Sequence, residues 1–164
     1  MGAVSETSGM AATSVEVSVK VEAPPDRVYA MISDLTRMGE WSPETVKVEW
    51  LGEATGPTKG AKFKGHNRIG ARRWSTKGEV AVADAGREFA FDISSVFGLP
   101  VARWGYRMTP EGSGCTVTEY WEDLRGRTMK ILGLAATGVG DREAQNREGM
   151  KATLERLKAA AERD

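Results

Sequence analysis

The sequence has few of the side chains that build disulfides, metal centres or hydrolytic triads. Among its 164 residues, Cys115 is the only cysteine and His66 the only histidine. A single cysteine excludes an internal disulfide and a cysteine-based zinc site. A Ser-His-Asp triad would need His66, which lies in a basic run that we expect to face solvent. No carboxylates are clustered at ligand spacing, and we therefore predict no metal.

Phosphate-binding loops are also missing. The three glycines of residues 133–140 do not follow a predicted strand in the G-x-G-x-x-G pattern. The glycine-bounded segment 56–60, GPTKG, lacks the lysine followed by Ser or Thr that a phosphate loop uses. Neither nucleotide motif is present, and no cofactor is predicted.

Neither sign of charge is in excess. The chain carries 23 basic and 23 acidic residues, for a formal net charge of zero. No global attraction to DNA or anionic lipid follows from that balance. A local basic cluster is best explained as a solvated strand face, with RNA or anionic-membrane contact as a minor alternative; it comprises Lys62, Lys64, Arg68, Arg72 and Arg73.

Long apolar runs are absent as well. The most apolar stretch, residues 131–140, is far shorter than the ~20 residues that span a bilayer, and glycines interrupt it. Residues 1–14 are small and polar, without the cationic start and apolar run of a secretory signal. We predict a mobile tail over 1–14, no integral membrane association and a cytoplasmic location.

What is present indicates one globular domain over residues 15–164. Hydrophobic residues make up 40% of the chain and charged residues 28%, a composition typical of folded proteins. Alternating valines from Val15 to Val21 predict a strand with one buried face. Pro24 and Pro25 end that strand, and helical spacing then predicts a first helix and a second short helical turn reaching Met38.

The middle of the chain reads as antiparallel strands joined by short glycine-containing turns, giving about seven strands in all. In each strand, alternation separates an inner from an outer face. The predicted inner residues are Ala61, Phe63, Gly65, Asn67 and Ile69, then Trp74, Thr76, Gly78, Val80 and Val82, then Phe89, Phe91 and Ile93, then Ala102, Trp104, Tyr106 and Met108. The last strand, residues 115–123, leaves open whether Glu119 or Tyr120 points inward.

After that strand a glycine-interrupted segment, residues 127–140, leads to a strong C-terminal helix. Asp141 is the predicted N-cap. Met150, Leu154 and Leu157 recur at helical spacing and predict a narrow apolar stripe.

Three segments carry a resemblance to a known family: VKVEAPPDRVYA at 19–30, EWSPE at 40–44 and TEYWE at 118–122. With the element order, they resemble the polyketide cyclase/dehydrase branch of the START-like (SRPBCC) superfamily, from about residue 15 to the end. The resemblance implies an α+β helix-grip fold, with a curved antiparallel sheet around a long C-terminal helix and a cavity between them. It implies no single reaction, because members include lipid and hormone binders, aromatase/cyclases and quinone-associated proteins.

The inner face is suited to a cavity because large aromatic side chains alternate with Gly65 and Gly78, which leave space beside the sheet. Inward aromatic residues are otherwise ordinary core, and the resemblance favours a pocket. The predicted ligand-binding residues are Trp41, Phe63, Asn67, Trp74, Phe91, Trp104, Tyr106, Glu119 and Met150.

Two polar residues keep alternative interpretations. Asn67 is either a ligand contact or a buried amide satisfied by a neighbouring strand. Glu119 is either an inward polar group or a residue on an exposed face. Glu119 and Tyr120 are candidate catalytic residues only, and no catalytic residue is assigned.

Three functions follow as hypotheses. The first is binding or transport of a hydrophobic small molecule, such as a lipid, an isoprenoid or a polyketide-like compound, with residues 127–140 shaping the entrance. The second is a polyketide cyclase or dehydratase, in which Glu119 or Tyr120 transfers protons while Asn67 polarises a carbonyl. The third is a quinone-associated interaction protein that uses the basic strand face or an exposed edge. Oligomeric state is not predicted.

Overall fold

A computed structural model describes residues 14–95 and 97–163 of the chain. Within those residues, seven antiparallel strands form one curved sheet in the order β1-β7-β6-β5-β4-β3-β2. From β2 onward each strand pairs with the next along the chain, whereas β1 pairs with the last strand. The strands are β1 Ser14–Val21, β2 Thr45–Trp50, β3 Lys62–Ile69, β4 Arg72–Asp84, β5 Glu88–Ser94, β6 Pro100–Glu111 and β7 Gly114–Asp123.

The helices pack against the inner face and edge of this sheet. They are α1 Pro25–Ser33, a 3-10 helix Leu35–Glu40, α2 Arg127–Thr137 and α3 Arg142–Ala161. Proline at the first turn of α1 has the backbone geometry that a helix start needs. Asp141 caps α3 by accepting a hydrogen bond from the Ala144 backbone N–H at 3.0 Å. The predicted α+β helix-grip fold is confirmed.

The core forms where α3 lies across the sheet. Leu154 and Leu157 of α3 are fully buried in the larger core cluster, together with Ile32 of α1 and Phe89 of β5. Met150, nearer the start of α3, belongs to a smaller cluster with Val15, Ala102 and Trp121. The predicted stripe of α3 therefore faces the sheet along its length.

One predicted facing is wrong. Val80 lies opposite Phe91, but Val82 lies opposite Ala90, because a β-bulge inserts one extra residue into β4 between them. Opposed residues of an antiparallel pair share a face, so Val82 points away from the inner surface that Val80 lines. Simple alternation cannot detect such an insertion.

The segment predicted as a glycine-interrupted crossing contains a helix. Residues Arg127–Thr137 form α2 despite Gly133, because one glycine costs a helix interior only about 1 kcal/mol relative to alanine. The helix ends at Gly138, whose φ of 73° is the left-handed conformation that glycine adopts readily. The Gly138 N–H donates to the Leu134 carbonyl oxygen at 2.8 Å.

Two further expectations concern the N-terminal tail and membrane association. The predicted tail, residues 1–14, lies outside the described residues except for Ser14, which begins β1. Among the described residues, no helix combines the length and the hydropathy needed to cross a membrane.

Candidate functional site

A cavity of about 750 Å³ lies between the inner face of the sheet and α3. Its walls are mainly aromatic and aliphatic side chains from β3 to β7, closed by one side of α3. Its lining residues include Phe63, Trp74, Phe91, Ile93, Ala102, Trp104, Tyr106, Glu119, Trp121, Asn146, Met150 and Thr153.

The cavity opens where its lining residues are exposed. Phe97, in the β5–β6 loop, is 87% exposed and lines the opening. Gly70 of the β3–β4 turn, Pro43 and Gln145 are also exposed there. Arg72 joins this turn to the end of α2, because its Nη1 donates to the Ala135 carbonyl oxygen at 2.7 Å.

Eight of the nine predicted ligand-binding residues lie on the cavity wall: Phe63, Asn67, Trp74, Phe91, Trp104, Tyr106, Glu119 and Met150. The ninth, Trp41, does not. It follows the 3-10 helix and is 2% exposed within the larger core cluster. The Arg37 guanidinium lies 5.0 Å from the centre of its ring. Trp41 therefore packs in the core and does not line the cavity, and the turn-like sequence around it does not indicate this placement.

Tyr120 lies on the opposite face of the sheet from the cavity. Its ring covers Gly105 so closely that an added Cβ at Gly105 would overlap it. The Tyr120 hydroxyl donates to Oε1 of Glu88 at 2.7 Å, and the Arg107 guanidinium lies 4.1 Å from the ring centre. Because neighbouring residues of a strand alternate between faces, an inward Glu119 requires an outward Tyr120. Tyr120 cannot reach a substrate in this cavity.

Glu119 is a buried carboxyl group on the cavity wall. It lies opposite Tyr106 in the β6–β7 pair, and the Tyr106 hydroxyl donates to Oε1 of Glu119 at 2.9 Å. The residue is 3% exposed, and Oε2 has no hydrogen-bond partner among the described residues. Burial raises the pKa of Glu119 to about 8, although the hydrogen bond from Tyr106 opposes that shift. At pH 7 most molecules therefore carry a neutral carboxylic acid here.

Burial also raises the pKa of the Tyr106 phenol well above its usual 10, and the neighbouring Glu119 adds to that effect. Tyr106 therefore remains a hydrogen-bond donor throughout the physiological range. In this pair, Glu119 is a protonated acid at neutral pH. Its Oε1 accepts the hydrogen bond from Tyr106, and its Oε2 has no partner among the described residues.

Asn146 is a buried polar group that the sequence analysis missed. It is 3% exposed on the sheet-facing side of α3 and lines the cavity. Its Nδ2 has no hydrogen-bond partner among the described residues. The spacing in the sequence could have indicated its burial. Asn146 precedes Met150 by four residues and therefore lies on the same side of the helix.

The Asn67 amide is held by neighbouring strands. The Thr45 hydroxyl donates to Oδ1 at 3.1 Å, and Nδ2 donates to the Thr76 hydroxyl at 3.4 Å. Asn67 nevertheless lines the cavity. Asn67 is therefore an amide held by neighbouring strands, as one of its two interpretations predicted, and it also borders the space where a ligand would lie.

The two glycines predicted to leave space differ. The ring of Phe63 lies directly over Gly78, where an added Cβ would overlap it. Gly65 instead lines the cavity, and a Cβ there would meet the Thr76 hydroxyl at 3.2 Å. Of these two glycines, Gly65 borders this cavity and Gly78 does not.

The cations of the described cavity wall are paired or exposed. Arg142 forms a bidentate pair with Glu44, at 2.5 and 3.1 Å, and its guanidinium lies 5.8 Å from the centre of the Trp74 ring. Arg125 forms a bidentate pair with Asp123 at 2.8 and 2.9 Å. The third, Arg68, is exposed. The interior therefore presents no uncompensated positive charge from these residues.

In the part of the chain that the structure describes, the other residue types considered for catalysis or metal binding form no site in the cavity. His66 is on the outer side of β3, where its Nε2 lies 2.9 Å from Oε2 of Glu49. Across residues 14–95 and 97–163, no three His, Cys, Asp or Glu side chains are grouped closely enough to hold a metal ion.

Comparisons with known proteins agree with this architecture. A family model described as polyketide cyclase/dehydrase and lipid transport matches residues 12–162. The Polyketide_cyc-like protein Cgl2372 from Corynebacterium glutamicum is 32% identical, with 93% of this chain and 91% of that chain covered and a TM-score of 0.55.

Two more distant structures share the fold alone. One is the di-domain ARO/CYC StfQ from the steffimycin biosynthetic pathway, at 16% identity and a TM-score of 0.68, with 92% of this chain and 51% of that chain covered. The other is major latex-like protein 151 from Panax ginseng, at 11% identity and a TM-score of 0.68, with 93% and 99% covered. A search of curated proteins gave no match. Because the family model spans nearly the whole chain, this protein belongs to the polyketide cyclase/dehydrase and lipid transport family.

Proposed function

We propose that this protein binds a hydrophobic small molecule in the cavity between the sheet and α3, as a carrier or binding module. The observation that carries the proposal is the cavity itself, about 750 Å³ with largely aromatic and aliphatic walls. Ligand sites commonly enclose ~300–1,000 Å³ of mostly apolar space with a few polar groups. The family description, which includes lipid transport, agrees with this role.

Energetics also favour an occupant. At the rate of about 24 cal/mol per Å³ found for cavities made by core truncation, a dry space of 750 Å³ would cost on the order of 18 kcal/mol. That exceeds the roughly 5–15 kcal/mol by which domains are stable. Because the cavity opens to solvent, water fills it whenever no ligand is bound, and its apolar walls favour the replacement of that water by an apolar ligand.

Binding predicts a thermal shift. An apolar ligand at 100 times its Kd adds about 2.7 kcal/mol to the free energy of unfolding, which raises Tm by roughly 5–10 °C for a chain of this size. Differential scanning fluorimetry with a library of lipids, isoprenoids and aromatic ketones measures this shift. Native mass spectrometry of freshly purified protein identifies any molecule that is retained.

The matched variants are Ile93→Trp, which places an indole in the cavity, and Thr109→Trp, which places one on the exposed outer side of β6. We expect Ile93→Trp to abolish the shift and Thr109→Trp to preserve it. A library that leaves Tm unchanged, together with protein that retains no molecule, would contradict the proposal.

A second candidate function is catalysis of a cyclase or dehydratase reaction, favoured by one observation: Glu119 is buried, and its Oε2 is free beside the Tyr106 pair. An acid with a pKa of about 8 suits general acid catalysis near neutral pH, when it could protonate a carbonyl or hydroxyl oxygen in the cavity. The di-domain ARO/CYC StfQ, which shares the fold, comes from a biosynthetic pathway.

This candidate makes its own prediction. General acid catalysis typically contributes about 10²–10⁴-fold to a rate, so Glu119→Gln should lower kcat for a poly-β-ketone substrate by at least about 100-fold. Glu122→Gln, on the outer face of the same strand, should leave kcat unchanged. Turnover that survives Glu119→Gln would remove Glu119 from the mechanism.

The third hypothesis, an interaction role for the basic strand face, stays a prediction.

A further inference from the structure

Two residues on opposite walls of the cavity each carry a buried polar atom that has no hydrogen-bond partner among the described residues. Oε2 of Glu119 belongs to β7 of the sheet, and Nδ2 of Asn146 belongs to α3. Both residues are 3% exposed, and both line the cavity. Buried polar atoms in folded proteins nearly always have a hydrogen-bond partner, and an occupant of the cavity that both residues line can supply one to each side chain.

Both atoms are hydrogen-bond donors. Oε1 of Glu119 already accepts from the Tyr106 hydroxyl, which leaves Oε2 to carry the proton of the neutral acid and to donate it. The Asn146 Nδ2 carries two N–H groups and can only donate. A partner for either atom must therefore be an acceptor.

The charge of that acceptor follows from the surrounding wall. Arg142 and Arg125 are the partly buried cations there, and Glu44 and Asp123 already hold them in bidentate pairs. An anionic group in the interior would lose its hydration without gaining a free cation, which is strongly unfavourable. A neutral oxygen needs only the donors that are available.

We propose that Glu119 and Asn146 are specificity-determining residues that hold the neutral carbonyl oxygen of an otherwise apolar ligand and discriminate against carboxylates. This inference rests on the proposed binding function and names the ligand class that the site selects. The aromatic walls contact the carbon skeleton of the ligand, and the two donors determine which polar group on that skeleton binds favourably. A site built to bond one polar group rejects analogues that lack it, because its own buried groups are then left unpaired.

The test uses three fluorescent probes with one carbon skeleton: 1-acetylpyrene, 1-ethylpyrene and 1-pyrenecarboxylate. Kd is measured for each at pH 7 by fluorescence titration of the full chain. We expect 1-acetylpyrene to bind at least 10-fold more tightly than 1-ethylpyrene, and 1-pyrenecarboxylate to bind most weakly.

Variants assign the preference to the two donors. Glu119→Leu and Asn146→Leu remove one donor each, and at least one of them should reduce the ratio of the 1-ethylpyrene Kd to the 1-acetylpyrene Kd at least fivefold, because the ketone loses a hydrogen bond and the apolar probe no longer leaves that donor unpaired. Glu119→Gln keeps an N–H donor and should keep the preference. Circular dichroism and Tm confirm that each variant is folded.

The outcomes separate this inference from the function on which it rests. Tight binding of 1-ethylpyrene without a ketone preference, a preference that survives both leucine variants, or tightest binding of 1-pyrenecarboxylate would each overturn the assignment of Glu119 and Asn146 while leaving a hydrophobic binding site. Failure of all three probes to bind would overturn both proposals.

Discussion

The free energy of unfolding should fall by up to about 5 kcal/mol as the pH rises from 4.5 to 8, through Glu119 alone. In the unfolded chain this carboxyl ionises near its usual 4.5, whereas in the folded protein its pKa is about 8 because it is buried. Between these values the folded state holds a proton that the unfolded state has released, and stability therefore decreases with pH. The difference, at about 1.36 kcal/mol per pH unit, gives the magnitude.

Glu119→Gln should remove this slope. The glutamine carbonyl can still accept from the Tyr106 hydroxyl, and no charge forms at any pH. Urea unfolding of both proteins at pH 5, 6, 7, 8 and 9 measures the effect, and the two curves should diverge as the pH rises. Glu122→Gln, on the outer face of β7, is the matched control and should follow the wild type. Parallel curves for Glu119→Gln and the wild type would show that this carboxyl ionises normally.

Gly114→Ala should destabilise the protein by about 3 kcal/mol and lower Tm by about 10 °C. Gly114 begins β7 against the end of β1, and a Cβ there would overlap the Val21 carbonyl oxygen and lie 3.2 Å from Cα of Glu22. Because the obstacle is backbone, no rotamer change can relieve it. The two strands must separate at this end, and β1 is the strand against which α3 packs.

The matched control is Gly56→Ala, in the β2–β3 connection. No heavy atom lies within 4 Å of its added Cβ, and its φ is not positive. We expect a change of less than about 1 kcal/mol. Thermal and urea unfolding of both variants supply the comparison, and equal stabilities would mean that the close approach of Gly114 to β1 is relieved at little cost.

Strand alternation was sufficient to predict most of the sheet and most of the cavity wall. Phe63, Trp104 and Tyr106 face the cavity because each occupies an inward position in a regularly paired part of its strand. The facing of β7 could not be decided from β7 alone, because Val117 and Tyr120 both suit burial. The β6–β7 register decides it, since Glu119 lies opposite the inward Tyr106.

The remaining features depend on contacts between distant segments. The bulge that turns Val82 outward comes from pairing with β5, and nothing local to residues 80–82 signals it. Trp41 is placed by packing against the core, which local turn residues do not encode. Asn146 looked like an ordinary polar helix residue, and only the sheet opposite α3 makes it a buried donor.

The pairing of β1 with β7 constrains how the chain folds during synthesis. Val19 lies opposite Val117, so the opening strand emerges from the ribosome long before its partner is translated. The hairpins from β2 to β7 join neighbouring segments and can form as they appear, whereas β1 cannot make its native pairing until β7 has been synthesised. During that interval its backbone N–H and C=O groups are unpaired, a condition that favours unwanted strand pairing.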